Sequence, residues 1–140
     1  MQRLWIGILA LALLLVSGPA LAEGMRIEPG KWEFTSTAKM PMIPTPKTTT
    51  QTQCVTEPEI KPEEFLQGLE GCVVSDVQSD AKSMRWKMTC TSDGVTMVGN
   101  AIYTSTGAQI QGSMTLVMNA NGQPMTFEQS SQGKHLGACD

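Results

Sequence analysis

The sequence predicts an all-β, mainly antiparallel domain: a strongly curved meander sheet or small barrel with one short helix and two disulfides. Three observations predict it. Short Thr-, Val- and Met-rich runs alternate with turn signals at close spacing, the mark of antiparallel strands. Asp93-Gly94 and Asn121-Gly122 are among the strongest two-residue hairpin turns, because both central positions need positive φ. Cys54, Cys72, Cys90 and Cys139 are even in number and lack CxxC spacing, which favours structural bridges over a zinc knuckle or a redox pair.

The N-terminus predicts an address. Met1-Gln2-Arg3 is a short positive start, residues 4–16 are apolar, Ser17-Gly18-Pro19 breaks the run, and Ala20-Leu21-Ala22 offers small residues at −3 and −1. These are the parts of a secretory signal, expected over residues 1–22 with cleavage after Ala22. The run falls short of the roughly 20 residues that span a bilayer, and no second one follows. A single domain over residues 23–140 is therefore expected, periplasmic or secreted, with no transmembrane span in the mature chain. Disulfides suit that compartment. Losing Arg3 from 10 basic residues leaves 9 against 13 acidic, a net −4. That balance argues against nucleic acid. The single histidine, His135, argues against a multi-histidine metal site.

Taken in order, residues 30–39 place Trp32, Phe34, Ser36 and Ala38 on one face and charged or hydroxyl side chains on the other, a half-buried strand. Residues 40–47 hold three prolines and are expected to be a loop, since proline cannot donate to a ladder. Residues 48–55 then return beside the first strand. Thr56-Glu57-Pro58-Glu59 has capping-box spacing and Pro62 suits a first helical turn. Phe65, Leu66 and Leu69 share a face of that helix, and Gly71 ends it.

Hairpin arithmetic sets the register beyond Cys72. Turning on Asp93-Gly94 opposes Cys90 to Met97, Met88 to Gly99, Trp86 to Ala101 and Met84 to Tyr103. Turning on Thr106-Gly107 opposes Tyr103 to Ile110, Gly99 to Met114, Met97 to Leu116 and Val95 to Met118. Turning on Asn121-Gly122 opposes Met118 to Met125 and Leu116 to Phe127. All of these fall on one face, which a one-residue slip would destroy. A hairpin centred on Ala81 opposes Cys72 to Cys90, Val74 to Met88 and Asp76 to Trp86. The expected bridges are thus Cys72–Cys90 and, by elimination, Cys54–Cys139. They matter because Leu, Ile, Val and Phe make up only 19 of the 118 mature residues, a lean core. Small residues at Gly99, Ala101 and Gly112 let bulky neighbours lie across the sheet.

Pro29-Gly30-Lys31-Trp32-Glu33, Cys54-Val55-Thr56, Cys72, Trp86 with Cys90, a Met-alternating hairpin and a terminal Gly137-Ala138-Cys139 occur in that order. In this the chain resembles the domain-of-unknown-function 3617 family of secreted Gram-negative bacterial proteins. The resemblance implies a periplasmic, disulfide-containing β domain. It brings no catalytic residue, cofactor or ligand.

The expected function is non-catalytic: a periplasmic binding or interaction module that holds an apolar small molecule or meets an envelope protein. The candidate pocket residues are Trp32, Phe34, Trp86, Met88, Met114 and Phe127. A first alternative is Cu(I) binding through thioethers, which are soft ligands. Met40 and Met42 are its candidates, or sheet methionines with His135. Six others (Met84, Met88, Met97, Met114, Met118, Met125) fall on the apolar face, where methionine fills irregular cores. A second alternative is a small hydrolase. It needs Asp76, expected beside Trp86 with a raised pKa, to approach His135.

Overall fold

The computed structural model describes residues 24–67 and 69–140; the expected export signal lies outside the described residues. The chain runs β1 (Met25–Arg26), β2 (Gly30–Met40), β3 (Ile43–Val55), β4 (Glu59–Ile60), a 3-10 turn (Pro62–Leu66), β5 (Cys72–Ser79), β6 (Ser83–Ser92), β7 (Val95–Ser105), β8 (Gln109–Ala120) and β9 (Gln123–Gly137). One antiparallel sheet has the order β3-β2-β9-β8-β7-β6-β5, and β1 pairs with β4. Strands β3 and β5 are its two edges and do not meet, so the sheet stays open rather than closing into a barrel.

Alternation builds the strands. In β6, Met84, Trp86, Met88 and Cys90 are buried while Arg85, Lys87 and Thr89 between them are exposed. The face that carries them is the inner face. The Asp93-Gly94 and Asn121-Gly122 turns have φ of 51° and 76°, and 53° and 78°, and the pairings they set are those expected. Cys72–Cys90 and Cys54–Cys139 are the two disulfides.

Register differs from expectation in two places. The β7–β8 turn is centred on Gly107-Ala108, not Thr106-Gly107, and Thr106 N–H donates to Gln109 O at 3.0 Å. Gly107 is pinned by the N-terminal segment, which bridges to it at Ile27 and donates from Glu28 N–H at 2.9 Å. Met97 therefore faces Met118, Gly99 faces Leu116, Ala101 faces Met114 and Tyr103 faces Gly112. A two-residue shift preserves the face, so the inner set survives. In β5 the register jumps between Ser75 and Gln78. Asp76, at φ 51°, bulges out, and its carboxylate lies 3.0 Å from Lys87 Nζ with 63% of its side chain exposed. It does not sit on the apolar face beside Trp86; Val77 is the half-buried residue there.

Residues 40–47 are not a loop either. Pro41 and Met42 form a tight turn, Met40 faces Ile43, and Pro44 and Pro46 lie within β3. An edge strand tolerates proline because half of its N–H groups have no ladder partner; prolines two residues apart point their nitrogens the same way. The expected helix shrinks to the 3-10 turn, capped at Lys61, whose N–H donates to the Glu64 carboxylate at 3.3 Å. Glu59 and Ile60 pair with β1 instead, and Leu69 is 46% exposed. Gly71 serves as the entry to β5.

The core fills one end of the inner face and extends along β6 through Met88 to Cys90. Segment 24–28 is laid across it: Arg26 N–H donates to Ala81 O and Ile27 N–H to Pro58 O, each at 3.0 Å, and Ser105 Oγ donates to Arg26 O at 2.7 Å. Met25, Ile27 and Ile60 thereby cover Trp32, Trp86, Tyr103 and Met84. This is the capped end, where the β5–β6 and β7–β8 turns lie. The opposite, open end carries the Pro41-Met42, Asp93-Gly94 and Asn121-Gly122 turns.

Candidate functional site on the inner face

Where the N-terminal cover stops, the inner face of β2, β9 and β8 forms a trough. Its floor is Phe34, Ser36, Met114, Gln129 and Ser131, its outer wall Gln51 and Gln53 of edge strand β3, and its roof Phe65 and Leu69; it encloses about 370 Å³. Past Met114 and Gln129 it continues into a smaller hollow of about 170 Å³ among Ala38, Met40, Leu116 and Phe127. One half of the trough thus offers amides and hydroxyls, the other almost only hydrocarbon and thioether.

Two glycines give the aromatics room to lie flat. A Cβ on Gly112 would stand 2.4 Å from the Tyr103 ring, and one on Gly133 would stand 2.8 Å from the Phe34 ring. Tyr103 stacks on Trp86 with centroids 5.6 Å apart and meets Phe65 at 4.3 Å. Phe34 stacks on Trp32 at 5.7 Å. Burial raises the Tyr103 phenol above its usual pKa, opposed by its hydrogen bond with Ser131, so it stays neutral at physiological pH. Ser36 Oγ and Ser131 Oγ lie 3.1 Å apart, and Gln129 Nε2 reaches Ser131 Oγ at 3.5 Å. These hydroxyls bond to one another, to the Tyr103 phenol and to an amide, not to a base. Apart from Glu64, whose carboxylate accepts from Lys61 N–H, the trough lining offers neutral hydrogen bonding beside an apolar surface.

The six expected pocket residues divide. Phe34, Met114 and Phe127 line the trough. Trp32, Trp86 and Met88 are at most 2% exposed and belong to the core. The Trp32 indole donates to Glu28 O at 2.8 Å; the Trp86 indole N–H finds no acceptor among the described residues. Gln51, Gln53, Gln129 and Tyr103 complete the site and were not among the expected residues. Reading residues 43–47 as strand would have set the parity that turns Gln51 and Gln53 inward.

Other expected groups do not converge. Met42 is 80% exposed at its turn and Met40 39%. His135 lies at the capped end, with Nε2 3.1 Å from Pro29 O and Nδ1 3.5 Å from a Glu28 carboxylate oxygen. Three strands separate it from Asp76, so these two form no dyad. Among the described residues no group of three His, Cys, Asp or Glu side chains is placed to hold a metal, and no helix is long and apolar enough to cross a membrane. A hollow of about 350 Å³ on the outer face, with Glu33, Thr35, Gln111 and Lys134 in its lining, is mostly polar strand surface.

No curated protein and no solved structure matches the chain. A family model, described as protein of unknown function DUF3617, matches residues 27–139, which takes in both disulfides, the whole sheet and the trough. The chain belongs to the DUF3617 family.

Proposed function

We propose that this domain is a non-catalytic binding module, exported to the periplasm, whose inner-face trough holds an uncharged amphiphile. The observation that carries the reading is the meeting of two chemistries at Met114. An apolar tail fits along Ala38, Leu116 and Phe127, and a neutral polar head fits among Gln51, Gln53, Gln129 and Ser131. Amide and hydroxyl groups reward a head that can hydrogen-bond and do not repay the desolvation of a charged one. The export part of the reading rests on the composition of residues 1–22.

The test uses the full chain produced with its own leader and recovered from the periplasm. 1-N-phenylnaphthylamine is bound as a fluorescent probe and displaced with monoolein or with oleate. Monoolein is expected to displace it better than oleate. A Leu116→Gln, Phe127→Gln variant weakens binding about tenfold or more, since each buried apolar contact contributes about 1.5 kcal/mol. Val98→Gln on the outer face leaves it unchanged. Equal affinities across these variants, or no probe binding by the folded protein, overturns the reading.

A further inference from the structure

Five sulfur-bearing residues stand in one row across five neighbouring strands. Cys72 faces Cys90, Cys90 faces Met97, Met97 faces Met118, and Met118 faces Met125. Directly opposed residues project from the same face, so all five sulfurs rise from the inner face at its open end. The first two are consumed in a disulfide. Three thioethers remain, side by side.

Core filling accounts for Met97 in part, since it packs against the edge of the core cluster, but not for Met118 and Met125. Met25, Met84, Met88 and Met114 are 0–6% exposed and make up the methionine of the core. Met97, Met118 and Met125 are only half-buried, and Met118 and Met125 have no place in the core cluster or its packed margin. Adjacent strands lie about 4.8 Å apart, a gap that an unbranched side chain with three rotatable bonds can lean across. Met97 and Met125 flank Met118 from either side. Their places are fixed by the two strongest turns of the chain: Asp93-Gly94 precedes Met97, and Asn121-Gly122 lies between Met118 and Met125. The row contains no carboxylate, imidazole or free thiol.

We propose that Met97, Met118 and Met125 form a three-thioether site for Cu(I). Soft, neutral sulfur donors with no oxygen or nitrogen ligand favour Cu(I) and offer little to Zn(II) or Cu(II). The ion keeps its single charge at a half-exposed position, where water still relieves the cost of burying it. Binding changes no oxidation state and moves no proton. The site is independent of the amphiphile reading.

The experiment uses the mature, disulfide-intact chain under anaerobic conditions, with Cu(I) delivered from its bicinchoninate complex and methionine ε-methyl groups carrying carbon-13. One Cu(I) per chain is expected, with methyl shifts confined to Met97, Met118 and Met125. Met118→Leu weakens affinity at least tenfold and the triple leucine variant abolishes binding, while Met40→Leu, Met42→Leu leaves it unchanged. Leucine preserves apolar volume, and if the triple variant does not fold, the methyl shifts of the unaltered chain decide. Failure to take Cu(I) from the chelator overturns the proposal, as do shifts centred on Met40 or Met42 or unchanged affinity in Met118→Leu.

Discussion

Trp32 and Trp86 are equally buried, and their indole nitrogens differ. One donates to Glu28 O at 2.8 Å; the other has no acceptor among the described residues. A hydrogen bond contributes about 1 kcal/mol net, and a buried donor without a partner carries a cost of its own. Trp32→Phe is therefore expected to destabilise the domain by about 1–2 kcal/mol more than Trp86→Phe, read as a larger fall in urea midpoint at constant m-value. Equal losses would mean that packing alone governs both positions. Neither outcome was legible in the sequence, which places a tryptophan on a face and says nothing of where its N–H ends. Face parity did identify Phe34, Met114 and Phe127 as inner residues. It did not separate them from Trp32, Trp86 and Met88, because that division depends on how far the N-terminal cover reaches.

The edge strands show how much of each element was readable. Turn chemistry at Asp93-Gly94 and Asn121-Gly122 is local, so the pairings of β6 with β7 and β8 with β9 followed from counting. Gly107 takes its conformation from a distant segment, and the count there missed by two residues. Prolines at 44 and 46 read as a loop because a proline prohibits ladder donation, yet an edge strand has a side on which none is needed. In β3 they serve a purpose. The strand is 13 residues long, exposed almost throughout, and carries Lys47 as its single charge. Long flat edges of this kind recruit other strands unless something blocks them. β5 is blocked differently, by being short and by the Asp76 bulge. Replacing Pro44 and Pro46 with valine is expected to shift the protein to dimers or larger species at raised concentration, seen by size-exclusion chromatography with light scattering. A strictly monomeric double variant counts against this role.

Across the whole molecule, the lean core makes the covalent links important. Cys54–Cys139 spans 85 residues and Cys72–Cys90 spans 18. By chain entropy they contribute about 4.5 and about 3 kcal/mol, together comparable with the 5–15 kcal/mol that domains typically have. A Cys54→Ser, Cys139→Ser variant is expected to lose more stability in urea than Cys72→Ser, Cys90→Ser. The reverse order would place the benefit in local geometry rather than loop closure. The long bridge joins the end of β3 to the residues just after β9, at the same end of the sheet as the N-terminal cover.

That placement has a dynamic consequence. Apart from β5 and β6, which the Cys72–Cys90 bridge ties together at the open end, every long strand is anchored at one extremity by packed aromatics, a crossing segment or a covalent tie, and at the other is held by little beyond its ladder. Backbone amides should accordingly exchange with solvent deuterium along a gradient, slowest beside Ile27 and Gly107 and fastest toward Asn121, so that the sheet frays from its fingertips while its palm stays clenched.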